Sequence, residues 1–176
     1  MRKHVVVLIF CIASISSFAQ TAAAPASSFI NDFSKHWATA KTLTLAVANA
    51  MPEENYAFEP VSEEMSFGEQ MMHLTQSNFG YCAFIADAKA PYEEPKDPKT
   101  VKKETIVKDL GDSFDYCSKL FGNLTEADLA KAHGTADRHF EAREVMLGLM
   151  IHMAHHRGQA EVYLRLKGIK PPDYKW

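Results

Sequence analysis

Near the C-terminus, the segment IHMAHHRGQAEVYLRLKG (residues 151–168) places His152, His155 and His156 within five positions. Its apolar and polar residues recur with a helical period. At about 100° per residue, the direction of His152 is shared by Val145, Gly148, Leu149, His156, Gln159, Tyr163 and Leu166, while Glu161 and Arg165 point away. His152 and His156, four positions apart, therefore lean toward the core side of one helix. Two adjacent buried imidazoles cannot both carry charge cheaply. Neutral imidazole nitrogen, however, is a natural ligand for zinc, nickel or iron(II), so a divalent metal ion resolves the conflict. His155, offset by about 60°, reads as a rim residue, Tyr163 as core, and Arg157 and Gln159 as groups that orient the site or cap a neighbouring helix.

A third ligand is available in SFGEQMMHLTQSNFGYCAF, residues 66–84. His73 shares its direction with Ser66, Glu69, Ser77, Gly80 and Phe84, a small and polar face that leaves room for a water-filled cavity. Three histidines with an open coordination position form the pattern of a catalytic centre, where the metal makes bound water acidic or polarises a substrate. The expected metal ligands are therefore His73, His152 and His156. Glu69 is the candidate catalytic residue: as the partner of Ser66 it completes a capping box, and it could instead serve as a fourth ligand or general base. The competing reading is a set of core histidines that satisfy one another by hydrogen bonds. A zinc-protease helix is excluded because Met153, not Glu, follows the first histidine. A di-iron bundle is excluded because its paired Glu-x-x-His motifs are missing.

The elements that must position these side chains are helices. The first, Ser28 to about Ala50, repeats Phe29, Phe33, Trp37, Ala40, Thr44 and Val47 at spacings of three and four. The second opens at Ser66 and runs to about Ala88, before a loop rich in proline and charge, APYEEPKDPK. The third spans about Thr100 to Phe121, with a less regular face of Val101, Thr105, Lys108, Phe114, Cys117 and Leu120. A short turn starts at Thr125, and the fourth helix runs from about Glu141 to Lys167, stopped by Gly168 and Pro171-Pro172. No stretch alternates as a strand does, and His133 and His139 fall in what reads as a solvated loop. The expected fold is all-α, an up-down four-helix bundle.

Residues 1–19 form a separate unit. Arg2 and Lys3 precede an apolar run from Val5 to Ala13, and Ser17-Phe18-Ala19 reads as a cleavage site: a secretory signal peptide, too short for a comfortable span. Phe10 is too bulky to precede a lipidated Cys11. Residues 20–27 are an Ala/Ser/Pro tether, and residues 28–176 are the helical domain, expected to be exported, with no stable membrane insertion after cleavage. With 19 Lys and Arg against 22 Asp and Glu, and two of the cations in the signal, no basic stripe is left for nucleic acid. Cys82 and Cys117 both fall on helices and are expected as buried thiols rather than as a bridge. Leu147, Met150 and Ala154 lie on the outer side of the last helix and hint at a homodimer contact.

HMAHHRGQAEVYLRLKGIKPPDY resembles the C-terminal signature of the DinB/YfiT-like family: His, three residues, His, Arg-Gly-Gln, a helix, then Gly before prolines. MSFGEQMMHLTQSN resembles that family's second-helix motif, and MPEENYAFEP its first interhelical loop. The resemblance covers about Ser28 to Tyr174. It implies a DinB/YfiT-like four-helix bundle, often dimeric, with a divalent metal on His73, His152 and His156. It also implies a small-molecule substrate, handled by metal-dependent hydrolysis or by thiol transfer. Family members are mostly cytoplasmic, so an export signal is a departure, as is a long loop at residues 133–140. The alternative is a metal- or ligand-binding bundle without turnover.

Overall fold

The computed structural model describes residues 28–174. Residues 1–27, with the expected signal peptide and tether and with Cys11, lie outside the described residues. Helix α1 (Phe29–Ala50) starts where the Ser28 hydroxyl accepts the Asn31 N–H. Of the expected stripe, Phe33, Trp37, Ala40, Thr44 and Val47 are buried. Helix α2 (Phe67–Ile85) opens on the Ser66–Glu69 capping box. Helix α3 (Lys103–Phe121) buries Ile106, Leu110, Ser113, Phe114, Cys117 and Phe121. Thr105 and Lys108, expected on that face, are exposed. The reason is that 106, 110, 114, 117 and 121 form the continuous apolar stripe at helical spacing, and they set the helix's rotation.

A single-turn helix α4 (Glu126–Leu129) precedes strands β1 (Ala132–Gly134) and β2 (His139–Glu141), which pair antiparallel. This hairpin replaces the expected loop. Its turn requires Gly134, whose φ is +115° and where a Cβ would sit 2.4 Å from the Arg138 carbonyl oxygen. His133, expected to be solvated, is 4% exposed, and its Nδ1 is 3.1 Å from Asp87 Oδ1. His139 is exposed as expected. Helix α5 (Ala142–Leu166) ends at Gly168, with φ +73° and the Ile169 N–H returned to the Leu164 carbonyl. Leu166, expected inside, is 58% exposed because the buried stripe of α5 (Met146, Leu149, Met153, Ala160 and Leu164) is rotated away from the His152 direction.

The four long helices form the expected bundle, along a path more particular than alternating directions. Around the bundle the order is α1, α3, α2, α5, so the sequential helices α1 and α2 occupy opposite corners. Asn78 donates to Ser113 and Cys82 is bonded to Cys117, a constant offset showing that α2 and α3 run parallel. A parallel pair needs a connection that travels the length of the bundle, and residues 86–102 provide it. The Cys82–Cys117 disulfide, with Cα atoms 5.6 Å apart, corrects the expectation of two thiols. Both cysteines face the seam of a helix pair whose adjacency no local pattern reveals. Closing a loop with a sequence separation of 35 contributes about 4 kcal/mol in the chain-entropy account.

On the α1–α3 side the core is aromatic. The Trp37 indole N–H donates to the Phe114 carbonyl at 3.2 Å, and its ring lies 4.8 Å from that of Phe114 and 5.4 Å from that of Phe121. The α2–α5 side carries the histidines.

Candidate metal centre

His73 comes from α2, His152 and His156 from α5, and the two helices are antiparallel neighbours. Each side chain offers one ring nitrogen to a common point, these atoms lying within 4.8 Å of one another. His73 Nε2 and His152 Nε2 are 3.1 Å apart, and ring centroids are separated by 5.0, 4.5 and 4.5 Å. Two ligand nitrogens on a tetrahedral zinc ion, each at about 2.0–2.1 Å, stand roughly 3.3 Å apart. The observed pair is within a few tenths of an ångström of that. His156 Nδ1–H donates to Gln70 Oε1 at 2.7 Å, which fixes the tautomer that leaves Nε2 as the ligand atom. His152 Nδ1 is buried without a partner, an unusual cost for a purely structural histidine. A divalent cation fits this donor set.

Electrostatics favour the ligand form. Burial holds the pKa of His73 below its ordinary value, opposed by Glu94. His152 is lowered by burial and then by the neighbouring His73 and His155. His156 is lowered to about 4 by burial, with His152, His73 and His155 adding to the effect and the nearby Gln159 side chain opposing it. At neutral pH, therefore, the three imidazoles are neutral and their lone pairs are available.

The polar face of α2 that carries His73 is an open wall rather than core. Glu69, His73 and Ser77 are half-buried and Gly80 is exposed, while Met71, Leu74 and Cys82 pack inside. Glu69 and His73 line a small cleft together with Met65 and Glu94. The Glu69 Oε2 atom accepts the Ser66 N–H at 2.8 Å and the Ser66 hydroxyl at 2.6 Å. These bonds, the hydroxyl's first, hold its carboxyl below the usual range against the opposing effect of burial. His155 is exposed, its ring 5.0 Å from that of His156, as a rim residue should be. Tyr163 is core, its hydroxyl donating to the Met65 carbonyl at 3.0 Å. Arg157 lies 3.8 Å from Glu161 rather than at the histidines.

Gln70 is the residue that sequence reasoning missed. It is 1% exposed, bonded to His156, and joined to the Tyr163 hydroxyl. The sequence carries no local signal for it, because a glutamine on a helix is ordinarily exposed and only the distant partner His156 makes this one a buried residue.

A four-helix bundle with two parallel neighbouring pairs, α2–α3 and α1–α5, and a cluster of three imidazoles on one wall defines a class of helical proteins with a candidate metal site. The DinB family model matches residues 25–175, and the chain belongs to the DinB family. Three solved structures share the fold. A DinB-like protein from Bacillus subtilis is 21% identical, with a TM-score of 0.69 over 82% of this chain and 99% of its own. A DinB-like protein from Bacillus cereus is 18% identical, with a TM-score of 0.67 over 83% and 97%. YfiT from Bacillus subtilis, described as a probable metal-dependent hydrolase with an unusual four-helix bundle topology, is 14% identical, with a TM-score of 0.66 over 85% and 94%. No curated protein matches the chain.

Proposed function

We propose that the chain is an exported hydrolase of a small-molecule ester or amide, built on one divalent metal ion held by His73, His152 and His156. The observation that carries this reading is the convergence of three neutral imidazoles from two helices on one point. The likeness to YfiT, described as a probable metal-dependent hydrolase, supports it. Zinc, nickel and iron(II) all suit the donor set. Bound there, the ion supplies Lewis acidity to a carbonyl oxygen and lowers the pKa of water. Gln70 holds His156 in its ligand tautomer. Glu69 completes the capping box with Ser66, and a carboxylate held below its ordinary pKa is a poor proton acceptor, which argues against the general-base role.

Hydrolysis is favoured over thiol transfer by the Cys82–Cys117 disulfide, which suits an oxidising compartment where free small thiols are scarce. The same bond supports export through residues 1–19. The outer face of α5, where Leu147 and Ile151 are 48% and 71% exposed, is the surface on which we place a homodimer contact. Elemental analysis tests the centre directly: purified protein should carry about one metal ion per chain, and His73→Ala or His156→Ala should carry almost none. Activated-ester turnover should disappear in the same variants. Unchanged metal content would remove the ligand assignment, and full metal content without turnover of any ester would convert the hydrolase into a metal-binding protein.

A further inference from the structure

Along the same α2–α5 seam, about one helical turn from His152 on α5, lies a second cleft of about 390 Å³. Gly80, Tyr81 and Phe84 of α2 and Gly148 of α5 line it, with Arg138 and Phe140 of the hairpin on its exposed side. Tyr81 stands between this cleft and the histidines, its ring 6.0 Å from that of His152. Both glycines sit in mid-helix, where glycine is the poorest choice after proline. A Cβ built on either meets nothing within 4 Å. Helix packing therefore does not require them, and what their bare backbones provide is space in the cleft.

The hairpin is tied to the end of α2. Asp87, at the C-terminal end of α2, accepts from Lys131 at 2.7 Å through Oδ2 and pairs with the buried His133 at 3.1 Å through Oδ1. The His133 ring is also tilted against that of Phe84, with centroids 5.8 Å apart. The charges of the cleft are asymmetric. Glu144 also lines it, but its Oε2 accepts the Glu141 N–H at 2.7 Å as the cap of α5. The Arg138 guanidinium lies over the Phe140 ring at 5.7 Å, and among the described residues no carboxylate is paired with it. A planar cation above an aromatic wall is a site for a carboxylate on an apolar body.

We propose that this cleft is the substrate subsite and that it takes a small organic carboxylate with an aromatic or branched apolar body. The body lies between Tyr81, Phe84 and Phe140, over the two glycines. The carboxylate meets Arg138, and the other end of the molecule points to the histidines. The inference deepens the hydrolase reading and rests on it for the word substrate, while the binding itself is independent of metal.

Titration of the full chain with phenylacetate, metal-free and zinc-loaded, tests the site, with benzyl alcohol and benzylamine as the neutral and cationic controls. Phenylacetate should bind saturably in both states, and Arg138→Gln should weaken it about tenfold or more while leaving benzyl alcohol unchanged. Gly148→Leu should fill the cleft and abolish both, without lowering the melting temperature; Gly80→Leu is the second variant should the first fail to fold. The same pattern in a chain that takes up no zinc would sustain the cleft and end the metal reading. The proposal is overturned by no saturable phenylacetate binding, by binding that requires zinc and ignores Arg138→Gln, by a preference for benzylamine, or by persistence in folded leucine variants.

Discussion

The α1–α3 half of the bundle and the α2–α5 half use their interiors in opposite ways. In the first, Phe33, Trp37, Phe114 and Phe121 interlock, and the one polar atom of the indole is satisfied by a backbone carbonyl. In the second, three half-buried imidazoles and two glutamines line one wall beside the buried Met71, Leu74, Met146 and Leu149, and His152 Nδ1 and Gln159 Oε1 are buried unpartnered. One half secures the fold, which allows the other to keep polar groups that do nothing for it. That division predicts that stability and metal binding can be damaged separately.

The largest effect should come from the aromatic half. Trp37→Ala removes a side chain that is 1% exposed, at a cost of about 3–5 kcal/mol. Whatever protein remains folded should still hold its metal. His152→Ala should do the reverse: metal is lost, while metal-free stability stays within about 1 kcal/mol of the parent, since an unpartnered buried nitrogen goes with the ring. Denaturant titration of both metal-free variants, with metal analysis alongside, checks the contrast. Equal losses of stability would mean that the histidines are core after all.

The same contrast explains what was legible in the sequence. The α1 stripe could be read residue by residue, because one face of a helix against one core leaves a period of three and four. The three clustered histidines could be read for a related reason: polar residues at inward helical positions violate the pattern, and their types suggest a chemistry. What stayed hidden depends on which elements become neighbours. Cys82 and Cys117 look like two buried thiols until α2 and α3 are seen to run parallel and side by side. His133 looks solvated until Asp87, far away in sequence, is placed against it. Strands of three residues are too short to show an alternation. Gln70 was overlooked because a glutamine on a helix is ordinarily a surface residue, and only its partner His156 makes it otherwise.

Gln70 sharpens the comparison at an intermediate scale. It touches the metal pocket only through the far nitrogen of His156, so it acts as a positioning residue. Gln70→Ala should weaken metal affinity by about 10–100-fold without abolishing it. Gln70→Glu keeps an acceptor for the Nδ1–H and should recover most of the loss. Competition with a chromogenic chelator measures both. An affinity unchanged in Gln70→Ala would mean that the tautomer is set elsewhere, with Gln159 the next residue to substitute.

The smallest effect is a dependence on pH that belongs to the histidine half alone. His156 titrates near 4 when folded and near about 6.5 when unfolded, and His73 and His152 are shifted the same way. Below about 6.5 the unfolded chain therefore binds protons that the native chain refuses, and metal-free stability falls as pH drops toward 4. Because the rings are only partly buried, solvent screening reduces the total to the order of 1–2 kcal/mol. Between pH 7 and 5 the Glu69 carboxylate, held low by Ser66, stays ionised and contributes no slope. Denaturant melts of the metal-free protein across that window should show stability falling with acid, and His156→Ala should flatten the curve. In the zinc-loaded protein the fall should be steeper, since protons then compete with the ion for the same nitrogens. A flat metal-free profile, or a slope untouched by His156→Ala, would mean that these imidazoles are solvated well enough to charge in place, and the two halves would differ less than their packing suggests.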